Sequence, residues 1–242
     1  MRSRAIDRAP ETVEVVIQLT IGSYVAFRDT IVHVRTAGSG ETEQIAQAVE
    51  DAIEIRRGRQ PQDDPAYGIE QLETIAWRSI STSQQNPAPG LAVIQNLRDF
   101  LTRWVEENED EDEFENRMRI LVVYPDNVMA RLLDAFESLA VVASEAMKHQ
   151  TYAEIVRTFT LTFDRLPGEI QRRAEDILCR SLSALGDHVL TTELDTSLTM
   201  LVQTLHGAGR IDTAAAIHAA QMALATTLGK LNSRATRVPS AL

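Results

Sequence analysis

Between residues 127 and 231 the chain repeats one pattern five times, and that pattern limits what it can fold into. Apolar residues recur three and four positions apart, the spacing that places them on one face of an α-helix. Leu132, Leu133, Phe136, Leu139 and Ala143 predict a helix over about 127–147. A second is expected over 151–165, and a third over 167–185, with Ile170, Ala174, Ile177, Leu178 and Leu182 on one side. Leu190, Leu194, Leu198, Leu201 and Leu205 predict a fourth over 188–206; Ile217, Leu224, Leu228 and Leu231 predict a fifth over 211–231. The breaks are short and no exact repeat is visible, so the expected arrangement is a helical bundle or a stack of helical hairpins.

The first forty residues follow a different rule. Residues 13–21 and 24–34 are rich in β-branched and aromatic side chains and flank Gly22-Ser23, which predicts a tight β-hairpin. Residues 36–40 read as a linker, and Ile45, Val49, Ala52 and Ile53 predict a helix from 41 to about 57. Farther along, Ile120 to Tyr124 is a short continuous apolar run ended by Pro125-Asp126, read as a strand that pairs with the hairpin. The expected fold class is therefore mainly α, with a small N-terminal β-hairpin and one further short strand. The β element covers 1–40 and the helical region 41–242, forming one domain with an acidic loop at about 106–116.

Charge narrows the partners. The formal net charge is −11, and the ten residues from Glu106 to Glu115 carry eight acidic side chains and no basic one. A nucleic-acid surface needs clustered Lys and Arg, so no nucleic-acid partner is expected. The acidic run lacks the ordered spacing of a calcium loop and reads as a solvated linker. His33, His149, His188, His206 and His218 show no metal-ligand spacing, so neither a metal nor any other cofactor is expected. The single Cys179 cannot form an intrachain disulfide and falls beside Leu178 and Leu182, where an inert buried thiol is expected. No apolar run approaches the ~20 residues that cross a bilayer. The expected location is cytoplasmic.

The segment 59–92, RQPQDDPAYGIEQLETIAWRSISTSQQNPAPGLA, combines these signals most densely. Asp64 followed by Pro65 is a helix start, with Asp as the cap and Pro in the first turn. Ile69, Leu72, Ile75, Ala76 and Ile80 form an apolar stripe behind it, and residues 81–86 are a polar break. Pro87 or Pro89 opens the next helix, with Leu91, Ile94, Leu97, Leu101 and Trp104 on its apolar face. Arg59, Asp64, Pro65, Gly68, Gln71, Leu72, Ile75, Ala76, Arg78, Ser81 and Pro87 fall in the register of a bacterial family of predicted membrane proteins, domain of unknown function 2254, which the chain resembles over about residues 1–180. IGSYVAFRDTIVHV (21–34) and RILVVYPDNVMARLLDAF (119–136) are similar to further segments of that family. The family's Asn-Asp-Pro turn is Gln85-Asn86-Pro87 here, one carboxylate fewer, and the family's transmembrane half has no counterpart in this sequence. The resemblance implies a soluble region of a membrane-associated family, joined to the membrane through a missing N-terminal transmembrane region or through a partner.

Candidate chemistry gathers in the same segment. Gln71 and Arg78 are seven residues apart and share a helical face, with Tyr67 one turn before Gln71. Arg59, Asp64, Tyr67, Gln71, Arg78 and Asn86 are the candidate ligand-binding residues, suited to a small anion. A structural role for Arg78, bonding helix-end carbonyls or pairing with a carboxylate, is the competing reading. Ser79, Ser81 and Ser83 lack a nucleophile-elbow context, and Gly207 to Arg210 form a turn between helices with no preceding strand to make a phosphate loop. No catalytic residue is expected. The expected function is a non-enzymatic interaction or regulatory module, homo-oligomeric, with a ligand-sensing domain as the alternative.

Overall fold

The structure, a computed structural model, describes residues 13–36, 42–81, 86–109, 120–185 and 189–227. Among them are eight α-helices and three short strands, so the mainly α fold class holds. The chain forms two compact units, Met1–Gly68 with Glu106–Arg131 and Ile69–Val105 with Leu132–Leu242.

The first unit is built on a sheet of β1 (Val13–Ile17), β2 (Val32–Thr36) and β3 (Ile120–Val123), in the order β2-β1-β3. Strand β1 runs antiparallel to β2, with Val13 opposite Thr36 and Ile17 opposite Val32, and parallel to β3, with Val13 opposite Ile120. The pairing of the 120–124 run with the N-terminal strands is thus as expected. Alternation along β1 turns Val13 and Val15 inward, where they form a small core with Ile45 of helix α1 (Thr42–Ala52). Ile17, Val32, Val34 and Val49 pack around it. On the other face Glu14 and Arg35, direct neighbours across the strands, form a 3.0 Å ion pair.

Two expectations fail in this unit. The connection from β1 to β2 is not a two-residue hairpin at Gly22-Ser23 but a loop over 18–31 with local turns of its own. Ser23 N–H donates to the Thr20 carbonyl, and Asp29 N–H to the Ala26 carbonyl while its carboxylate accepts from Ala26 N–H. The strands expected at 18–21 and 24–31 are taken up by these turns. Helix α1 also stops at Ala52 rather than near Arg57. Beyond it Arg56 bonds to Glu54 and Asp63, drawing the chain into a clip that a continued helix would not allow.

The second unit is helical. It takes most of α2 (Pro65–Ile80), most of α3 (Ala88–Glu109) and most of α4 (Val128–Glu145). All of α5 (His149–Thr162), α6 (Gly168–Leu185), α7 (Thr192–Gly207) and α8 (Ile211–Thr227) follow. Leu132, Leu133, Phe136, Leu139 and Ala143 are all buried, as the periodicity predicts, and Phe136 meets Phe159 at a ring-centroid distance of 5.4 Å. Leu194, Leu198, Leu201 and Leu205 of α7 are buried too. The three-residue turn after α7 holds Gly209 in the left-handed region, and Arg210 pairs with Glu175 of α6 at 3.2 Å. That pair ties the turn to a third helix.

Helix limits differ from the expected ones mainly at caps. Helix α4 ends at Glu145, where Lys148 N–H reaches back to the Ala143 carbonyl, so α5 starts at His149. Thr191 caps α7, its hydroxyl accepting from Leu194 N–H, which moves that start from 188 to Thr192. Helix α3 extends to Glu109, so the acidic run opens inside a helix; its remainder, 110–116, lies outside the described residues. Leu228, Leu231, His188 and Gln85 also lie outside them. Cys179 is exposed, not buried, because it sits one position past the inward-facing Leu178. Local desolvation by its neighbours together with the nearby Glu175 and Asp176 carboxylates raises its pKa, which disfavours the reactive thiolate.

Candidate functional site

Arg59, Asp64 and Tyr67 come together in the first unit at the start of α2. The chain turns at Gln60, whose carbonyl accepts from both Asp63 and Asp64 N–H, and Pro65 then begins the helix with its fixed φ. Asp64 is buried, and its two carboxylate oxygens do different work. One accepts from Tyr67 N–H at 2.9 Å, satisfying an amide that the first helical turn leaves unpaired. The other accepts from Arg59 Nε at 2.7 Å. The Arg59 guanidinium also lies over the Tyr67 ring, 4.7 Å from its centroid, a cation–π arrangement. Burial alone would raise the Asp64 pKa, but the Arg59 hydrogen bond and the Tyr67 and Ala66 amides outweigh it and hold the carboxyl below its ordinary value.

A residue outside the candidate set completes this cluster. Gly22, in the β1–β2 loop, has φ +81°, and a Cβ placed there would lie 2.1 Å from Asp64 Oδ2 and 2.5 Å from Arg59 Nε. Only glycine lets the loop backbone approach so closely. The sequence signal for Gly22 was read as a hairpin turn, so its contact with residues some forty positions away went unseen.

The remaining candidates lie in the second unit. Gln71 and Arg78 are exposed on α2. Arg78 is eleven residues beyond Tyr67 on that helix, roughly 16 Å along its axis. Asn86 is engaged with backbone: its side-chain oxygen accepts from Ala88 N–H at 3.0 Å, in the first turn of α3. Its carbonyl accepts from the Ser79 hydroxyl at 2.8 Å, and the same hydroxyl accepts from Gly90 N–H at 3.3 Å. Ser79 therefore joins the end of α2 to the start of α3, where Gly90 packs so tightly that a Cβ would meet Ile80 Cγ1 at 2.7 Å. Ser79 thus has a packing role rather than a nucleophile's. Its position between Ala76 and Ile80, on the buried side of the stripe, was the signal for a packing role. Ile75, placed on that stripe by spacing, is 51% exposed, so the buried face of α2 runs through Ile69, Ala76, Ser79 and Ile80.

The arrangement can hold backbone segments, and its one concentrated charge pair is already neutralised internally. Among the described residues, no group of three or more His, Cys, Asp or Glu side chains is placed to hold a metal ion, and no helix is long and apolar enough to cross a membrane. Over residues 6–151, more than half of its length, the chain matches the family model described as predicted membrane protein (DUF2254). No curated protein and no solved structure matches it.

Proposed function

The chain belongs to the family of predicted membrane proteins DUF2254, and on that premise we propose that it acts as a non-enzymatic interaction or regulatory module, homo-oligomeric, on the cytoplasmic side of a membrane. The observation that carries this reading is how two of the candidate ligand-binding residues are engaged. Asp64 is committed to Arg59 and the first turn of α2, and Asn86 to the first turn of α3. Such side chains fix where backbone segments sit, which is what a docking scaffold needs. Support for self-association comes from α8, whose outward face shows Ala215, Ala219 and Ala223, small enough for close helix approach, beside the exposed apolar Met222.

The test is a thermal-shift screen of the whole chain with phosphate, sulfate, nucleotides and divalent metals. A ligand that binds only the native state raises the unfolding midpoint, and the interaction-module reading expects no rise. A clear rise with a small anion, lost on Arg59→Gln, would favour a ligand-sensing site instead. Light scattering checks assembly: a clean monomer throughout the micromolar range would overturn the homo-oligomer.

A further inference from the structure

The β1–β2 loop displays its large apolar side chains outward. Tyr24 is 89% exposed, Phe27 90% and Ile21 62%. Aromatic side chains so fully in water forgo the free energy of burial, so two of them on one short loop call for an occupant. The loop that carries them is well built. The Thr20 and Ser23 hydroxyls lie 2.7 Å apart in the first turn, and Asp29 closes the second. Gly22 seats the loop on the buried Arg59–Asp64 pair. Arg28 takes φ 73°, and its guanidinium lies 5.3 Å from the centre of the Phe27 ring. The Asp29 carboxylate accepts from the Ala26 amide and keeps its charge, while Arg28 places a cation at the tip against the Phe27 ring.

We propose that this tip is a membrane-interface contact: Tyr24 and Phe27 enter the headgroup layer of a phospholipid bilayer and Arg28 pairs with a lipid phosphate. Aromatic rings favour that layer, where one part of the ring is dry and another wet, and an arginine beside them matches the phosphate in charge and geometry. The family's description as membrane proteins points to the same occupant, while no described helix can reach into the bilayer by crossing it. The assignment rests on the interaction-module reading and names one partner of that module.

The experiment is flotation of the whole chain with phosphatidylcholine vesicles containing a minority of phosphatidylglycerol. The unaltered chain should float, and Tyr24→Ser/Phe27→Ser should lower the bound fraction at least tenfold while leaving the melting midpoint unchanged, since both side chains are already in water. Arg28→Asn, which tolerates the left-handed backbone, should lower it about fivefold at low salt. Failure of the unaltered chain to float, or equal flotation of the double variant, overturns the proposal. So does a double variant that turns an oligomer into a monomer by light scattering, which would assign the tip to a second copy. An anion hit in the thermal screen would remove the module reading without touching vesicle binding, so the two failures are distinguishable.

Discussion

The two units of this chain are stabilised by different means. The second has a broad apolar core, with Phe136, Phe159, Leu97, Leu101, Leu132, Leu139 and Ile155 fully buried. The first has a core cluster of three buried residues, Val13, Val15 and Ile45, and depends on a polar clasp of Arg59, Asp64 and Tyr67 against Gly22. A large core spreads its stability over many interchangeable contacts, whereas a small one concentrates it in a few positions where geometry is exacting. The family pattern includes Arg59 and Asp64 of that clasp.

The sharpest contrast is between a large truncation in one unit and a single added methyl in the other. Phe136→Ala should cost about 3–5 kcal/mol, read as a lower urea midpoint, because the void it leaves cannot close fully. Gly22→Ala should cost roughly 2–3 kcal/mol, through left-handed strain and the clash with Asp64 and Arg59. Gly58→Ala, with nothing within 4 Å of the added carbon, should stay within about 0.5 kcal/mol. If the two glycine variants melt alike, the clasp is not what holds the first unit.

Asp64→Asn should cost about 1–2 kcal/mol, since the amide can still cap the helix but leaves Arg59 without its charge. The pH dependence has a definite sign. The folded pKa of Asp64 lies below its unfolded value, so the stability it contributes is present above about pH 4 and is lost as pH falls through the folded pKa. Acid unfolding followed by circular dichroism should therefore show a smaller loss below about pH 4 in the asparagine variant. A parallel loss in both proteins would assign the acid sensitivity to other carboxylates.

Ser79→Ala removes the clasp between α2 and α3 in the second unit and should cost about 1 kcal/mol, with Gly90 N–H left unpaired. The smallest effect is expected from Glu14→Gln, at under about 0.5 kcal/mol, because its partner Arg35 is largely exposed and water screens the pair. A larger loss there would mean that cross-strand charge, and not the clasp, carries the first unit.

Much of the helical half was legible in the sequence. Periodicity located α4, α6 and α7 and named most of their buried apolar residues, though Ile170, Leu182 and Leu190 are only partly buried, since a helix that buries one face must repeat every three to four positions. It also located α2 and its cap at Asp64. The exposed Ile75, the exposed Cys179 and the inward Ser79 were not legible, because each lies at the edge of a stripe, where neighbouring helices decide which side is covered. The candidate site divides the same way: Asp64 as a cap follows from local chemistry, while the seat for Gly22 depends on a loop some forty residues earlier.

The sequence by itself determined the fold class, most helix positions, the β1 and β3 segments and the family, all of which depend on order along the chain. The tertiary structure alone decided that the β1–β2 connection is an aromatic-tipped loop, that Gly22 must remain without a side chain, and that Arg59 and Asp64 neutralise each other. The seat of Gly22 depends on a distance between segments far apart in the chain, and the loop and the Arg59–Asp64 pair, five positions apart, on turns outside the regular elements; spacing along one strand or helix carries no measure of any of them.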